Sequence, residues 1–142
     1  MLISEPSKDE INNLIKLFNA QKYDKAIDLS IKFTKKFPRH PFGWKALGAI
    51  YSQTGNKSKA ISANIKSIKI NPKDAEAYSN LGNIYREIGN LHDAELNCRH
   101  AIKLKPDFTE AYNNLGIVLQ GLENFQDAKV CFKKSILLNP NF

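Results

Sequence analysis

Cys98 and Cys131 are the two thiols of the chain, and His40, His92 and His100 are its three imidazoles. Side chains of these types can make a disulfide, a metal site or a nucleophile with its base, and the sequence signs of such sites are spacings such as Cys-x-x-Cys or two histidines one helical turn apart beside a glutamate. The two cysteines lie 33 residues apart, and no histidine pair has that spacing. The thiols therefore read as small apolar residues on buried helix faces, and the histidines as ordinary surface or interface residues. No Gly-rich phosphate loop, no Gly-x-Ser-x-Gly and no acid pair in an apolar setting occurs. The acids stand mostly at helix starts or on exposed faces, where they favour the helix dipole. This chain alone reads as no enzyme, with no cofactor and no metal.

A different set of residues carries binding chemistry. Asn80, Asn83, Asn113 and Asn114, with Gln120, make an amide-rich surface although asparagine is an average-to-poor helix former. A carboxamide offers both a donor and an acceptor, which suits the backbone of an extended peptide whatever its sequence. Lys45 and Arg86 beside them would select acidic groups. Farther towards the N-terminus, Ile11, Leu14, Ile15 and Phe18 form an apolar stripe at i, i+3, i+4 and i+7. Ile15 and Phe18, with Phe42, are either an apolar groove end for a partner or for self-association, or they turn inward on a slightly rotated helix.

These residues are positioned by a repeat. Shifting the sequence by 34 residues aligns Trp44, Tyr78 and Tyr112, then Leu47, Leu81 and Leu115, then Gly48, Gly82 and Gly116. Ala26, Ala60, Ala94 and Ala128 fall into the same register, as do Pro38, Pro72, Pro106 and Pro140. Tyr78, Leu81, Gly82 and Tyr85 lie on one stripe of a helix. Gly89-Asn90 ends that helix through the left-handed conformation. A second helix, roughly Leu91 to Leu104, follows, and Pro106 closes it. Each unit is thus an antiparallel helix pair. Glycine in mid-helix costs roughly 1 kcal/mol against alanine, so Gly48, Gly82 and Gly116 imply close approach of a neighbouring helix, with the small alanine of the second helix at the same contact. Such a pair cannot bury its apolar face alone and must stack on the next.

The pattern aromatic-x-x-Leu-Gly-x-x-Tyr, then Ala, then Pro resembles the tetratricopeptide repeat. The resemblance implies an all-α fold, a right-handed α-solenoid of stacked antiparallel helix pairs, as a single domain over residues 1–142. It covers 41–74, 75–108 and 109–142 as full repeats. Residues 7–40 make a diverged N-terminal repeat, in which Glu10, Asn13 and Leu14 replace the aromatic, leucine and glycine. Ser7-Lys8-Asp9-Glu10 fits a capping box.

The same resemblance places the first helix of each pair on a concave groove. Lys45, Asn80, Asn83, Arg86, Asn113, Asn114 and Gln120 then fall at groove positions, with Ile15, Phe18 and Phe42 at one end. Asn12, Asn80 and Asn114 share the sixth position, interrupted by Ala46, and look like the asparagine ladder in the repeat domain of O-linked N-acetylglucosamine transferases. The carboxylate clamp of chaperone-binding members is matched by Lys45 and Asn80 but not by Ala49, Glu110 and Asn114, which argues against capture of a terminal carboxylate.

Composition sets the remaining limits. At 142 residues and 42% apolar content the chain has no window near the roughly 18 apolar residues of a membrane span. The N-terminus lacks a secretory signal pattern, which points to the cytoplasm. Residues 1–74 hold 14 basic against 6 acidic side chains (net +8), and residues 75–142 hold 7 against 8 (net −1). The basic half admits binding to nucleic acid or an anionic surface, but its lysines are scattered rather than run together, which ranks that class last. The sequence stops where another repeat would begin, so a longer chain, or self-association through the uncapped last repeat, is expected. The expected function is a protein-interaction scaffold for a protein or peptide ligand; the alternative is a substrate-docking or self-assembly module ahead of a glycosyltransferase-like or other transferase domain.

Overall fold

The computed structural model describes residues 4–141. Among these residues there are eight α-helices and no strand: α1 (Lys8–Asn19), α2 (Tyr23–Lys36), α3 (Pro41–Gln53), α4 (Lys57–Ile70), α5 (Ala75–Glu87), α6 (Leu91–Leu104), α7 (Thr109–Gly121) and α8 (Phe125–Leu138). They form two compact units, α1–α4 and α5–α8. In the first, α1 and α2 both pack on α3; in the second, α5 and α6 both pack on α7.

Local chemistry sets the helix ends. Ser7 and Glu10 close a reciprocal capping box at the start of α1. The Lys36 ammonium, and after it the Ser7 backbone N–H, hold the Glu10 carboxyl below the usual carboxylate range. Lys36 bonds to Glu10 across α2 and α1, so the end of α2 lies beside the start of α1. The same antiparallel relation recurs where Ser67 Oγ donates to the Pro41 carbonyl (3.4 Å) and Ser135 Oγ to the Thr109 carbonyl (3.3 Å).

The turns inside the pairs repeat one device. Gln21, Gly55, Gly89 and Glu123, each 34 residues apart, all take positive φ, at 56°, 81°, 83° and 61°. Asn90 does not share the left-handed role expected for Gly89-Asn90. It sits at φ −84° and caps α6, accepting from the Asp93 N–H. Asn56 and Asn124 cap α4 and α8 in the same way, whereas Lys22 gives α2 no such bond.

The mid-helix glycines mark where paired helices touch. A Cβ on Gly82 would stand 2.5 Å from Cys98 Sγ, 3.2 Å from the Ala94 carbonyl oxygen and 3.3 Å from the Cys98 nitrogen. The side chain lying over the glycine is thus not the expected alanine but the residue four positions later. Asn64 covers Gly48 and the Phe132 ring covers Gly116 in the same register. In the first pair the sizes are exchanged: Leu14 stands in the glycine register and Ser30 in that of Cys98, both buried. The alanines Ala26, Ala60, Ala94 and Ala128 are buried alongside.

Two glycine-related substitutions should act with opposite sign. Glu123 occupies a left-handed site that costs an L-residue about 1–2 kcal/mol, partly offset by the greater unfolded-state freedom of glycine. Glu123→Gly should therefore stabilise the protein by up to about 1 kcal/mol. Gly82→Ala gains about 1 kcal/mol of helix propensity but overpacks a contact bounded by backbone, a penalty of about 1–3 kcal/mol, and should be a net loss. Urea unfolding of the two variants measures both; a stabilised Gly82→Ala would contradict the close-approach geometry.

Candidate functional site

On the first unit the faces of α1 and α3 enclose a hollow of about 190 Å³. Ile15, Phe18 and Phe42 line it with Leu14, Lys45, Ala46, Ala49 and Ile50. Of the α1 stripe only Leu14 is buried in the core, against Ala26 and Ile50. Ile15 remains 42% exposed, and Phe18 makes an edge contact with Tyr23 at 6.0 Å. The structure therefore brings the three apolar groove candidates to one depression, with Lys45 half-buried at its edge. Every lining residue except Lys45 is apolar.

On the second unit the polar candidates fall into three environments. Asn114 is buried at 8% exposure and donates through Nδ2 to Ser79 Oγ at 3.3 Å, tying α7 to α5. This corrects its expected role as an open groove contact: the donor is spent inside the fold. Asn83 is also engaged, donating to Glu87 Oε1 (3.0 Å) and accepting from Arg86 Nη2 (2.7 Å). Its spacing to Arg86 and Glu87, three and four residues, puts all three on one helical face. Arg86 Nε is buried without a partner. Asn80 and Asn113 are half-buried, make no side-chain hydrogen bond among the described residues, and keep their amides open. Gln120 is exposed.

The sixth-position asparagines consequently do not form a uniform row. Asn12 is exposed, Asn80 half-buried and Asn114 buried. Ser79, the acceptor that fixes Asn114, falls at a groove position by its place in the repeat and is instead buried. The available signal was its small hydroxyl in a register otherwise held by Lys45 and Asn113.

The nucleophilic side chains lie elsewhere. Cys98 and Cys131 share a core cluster with Leu115, Leu119 and Ala128. Burial is the main cause that pushes the Cys98 thiol up to about 12, against a smaller opposing pull from Arg86. Burial pushes the Cys131 thiol up as well. His40 caps α3, its Nδ1 accepting from the Phe42 N–H at 3.2 Å, and His100 lies on Tyr78 with ring centroids 4.1 Å apart. Among the described residues no group of three His, Cys, Asp or Glu is arranged to hold a metal ion, and no helix is long and apolar enough to cross a membrane.

Two tetratricopeptide repeat profiles match the chain, one over residues 75–108 and again over 109–142, the other over 44–74. The chain belongs to the tetratricopeptide repeat family. No curated protein sequence matches it. Among solved structures it is similar to MamA, at 25% identity and a TM-score of 0.83, over 92% of this chain and 78% of that one. The pilF protein of Pseudomonas aeruginosa superimposes with a TM-score of 0.87 at 20% identity, covering 94% of this chain and 61% of that one. The first repeat domain of Spaghetti (RPAP3), solved bound to an HSP90 peptide, gives 0.71 at 24% identity over 72% and 81% of the two chains. The all-α tetratricopeptide fold is a non-catalytic protein-interaction fold.

The burial of both thiols sets a chemical expectation. The thiolate is the reactive form, and a raised pKa leaves it scarce at pH 8. In the folded protein Cys98 and Cys131 should resist Ellman's reagent at that pH, and both should react once urea unfolds the chain. Rapid titration of one equivalent without denaturant would contradict the buried placement.

Proposed function

We propose that the protein is an interaction scaffold that binds an extended peptide or a partner helix on the first helices of its pairs. The observation that carries this reading is the hollow between α1 and α3. Its walls are Ile15, Phe18, Phe42, Ala46 and Ala49, with alanine at two positions where a larger side chain would close the gap. Apolar surface that stays open to water is stabilised by an incoming apolar side chain, at about 25 cal/mol per Å² covered. The hollow therefore takes an aliphatic or aromatic anchor of the ligand.

On the second unit Asn80 and Asn113 offer free donors and acceptors, which fit a peptide backbone. The Asn83–Arg86–Glu87 set supports this face, because Asn83 accepts from the Arg86 guanidinium and steadies it. The ladder reading is thereby reduced to Asn80, joined by Asn113 rather than by Asn114. We further infer that α1 and α2 are a diverged fourth repeat, because their helix lengths, their left-handed Gln21 and their buried Ala26 keep the register of the other pairs.

A pull-down from the source cell with the immobilised protein tests the reading. Ile15→Asp places a charge in the hollow and should abolish retention of the partner. Asn80→Ala combined with Asn113→Ala removes two hydrogen-bonding groups at about 0.5–1.5 kcal/mol each and should weaken binding roughly tenfold. Both variants should keep the wild-type far-UV circular dichroism. Identical retention by wild type and Ile15→Asp would refute the anchor site.

A further inference from the structure

Helix α3 has a second face, turned towards α2 and α4, that the proposed groove leaves unused. There Ile31, Thr34 and Lys35 of α2, Trp44, Leu47 and Tyr51 of α3, and Lys59, Ser62 and Ala63 of α4 line an open cavity of about 370 Å³. That volume falls within the ~300–1,000 Å³ of ordinary ligand pockets. We propose that this cavity is a docking site for an acidic peptide segment bearing an aliphatic or aromatic anchor.

The repeat supplies an internal comparison. Sixty-eight residues on, two repeat lengths away, Thr34 becomes Ile102, Ala63 becomes Cys131, Tyr51 becomes Leu119 and Lys59 becomes Asp127. In the second unit Ile102 packs against the core cluster of Cys98, Leu115, Leu119 and Cys131. In the first unit Thr34 and Ala63 are smaller than their counterparts, Tyr51 and Trp44 are larger than Leu119 and Tyr112, and the opening lies beside the two small residues. Thr34 is buried, and its hydroxyl donates to the Ile31 carbonyl at 2.8 Å, not into the cavity. The wall that remains is apolar, and the rim has gained positive charge.

That charge is not neutralised. Lys35, Lys59 and Lys66 form no ion pair with a carboxylate among the described residues. Lys59 Nζ stands 5.4 Å from the Tyr51 ring centroid and Lys66 Nζ 4.2 Å from that of Trp44. An ammonium over a ring face is held by the quadrupole and still has N–H groups to donate to a carboxylate. It also covers the face on which a nucleobase would stack, and base stacking on open aromatic faces is what single-strand binding requires. The arrangement thus favours carboxylates around an apolar anchor over nucleic acid. The net charge of +8 on residues 1–74 adds long-range attraction for the same ligand.

Trp44 is the one tryptophan of the chain and lines this cavity. The probe is a pool of octapeptides with Leu, Ile or Phe at the two central positions and Asp or Glu at the other six. It should shift Trp44 emission saturably. A pool with Lys in place of the acids, a pool with Gly and Ser in place of the anchors, and a thymidine oligonucleotide should not. Lys35→Gln combined with Lys59→Gln should weaken the acidic pool at least fivefold, as should Thr34→Ile, which restores the side chain found at Ile102. Should Thr34→Ile fail to fold, the exposed lysine pair decides. Ile15→Asp, which disables the α1–α3 hollow, should leave the Trp44 response unchanged, so the two surfaces stand or fall separately. No saturable shift with the acidic pool, an equal shift with the Lys pool or the oligonucleotide, or no loss in the lysine variant would overturn the proposal.

Discussion

In each of the three glycine-containing pairs, a side chain of the second helix lies across bare backbone of the first, and the rest of the architecture follows from that contact. Asn64 on Gly48, Cys98 on Gly82 and Phe132 on Gly116 leave no space for a methyl group. The interhelix distance is therefore fixed at one register in every repeat. Close-packed interiors tolerate little change in volume, so a larger residue on one side demands a smaller one on the other. The first pair obeys the rule with the sides exchanged, Leu14 on α1 against Ser30 on α2. A small residue on one of the two helices, rather than a fixed residue type or summed volume, is what the pairs share, since the covering side chains range from Cys98 to the much larger Phe132.

Fixing one stripe of the first helix against its partner fixes what the other stripes can do. On α3 the aromatic stripe of Trp44, Leu47 and Tyr51 faces α2 and α4, while Phe42, Ala46 and Ala49 face α1. On α5 and α7 the stripe facing the neighbouring first helix carries Ser79 and Asn114, which bond to each other. A polar pair at such a buried contact has to be satisfied, because an unpaired buried amide costs about 1–3 kcal/mol. That requirement explains why one asparagine of the row disappears into the fold while Asn80 and Asn113 stay open. Position in the repeat decides the face; the neighbour decides whether the group is free.

The fold was legible because periodicity is a property of the chain itself. A 34-residue register shared by four alanines, four prolines and three glycines implied helix pairs, and α6 begins and ends at Leu91 and Leu104 as that register expects. Asn90 was misread because asparagine serves two neighbouring roles, left-handed stop and N-cap, and only backbone geometry separates them. The site was less legible. Ile15, Phe18 and Phe42 could be grouped by helical spacing, but whether Ile15 turned inward depended on the rotation of α1. Asn114 looked available because spacing along the chain says nothing of Ser79, 35 residues away, as a partner, whereas the i+3 and i+4 spacing of Arg86 and Glu87 did carry a signal for the engagement of Asn83. The α2–α3–α4 cavity was invisible for a related reason: which side chains border an opening depends on how three helices pack, and spacing along the chain does not carry that.

That last point bears on how function can be read from repeats. Residues that recur in every unit answer to packing, and substituting them tests the scaffold alone. Residues that depart from the register without a packing reason carry the remaining information. Leu14 departs and is explained by Ser30. Gln21 and Glu123 depart from glycine at a left-handed turn with no side-chain bond to compensate. Lys59 for Asp127 and Thr34 for Ile102 depart together, one adding positive charge and the other reducing bulk at a single cavity. Both changes fall on one concave surface, the one proposed above to dock an acidic segment.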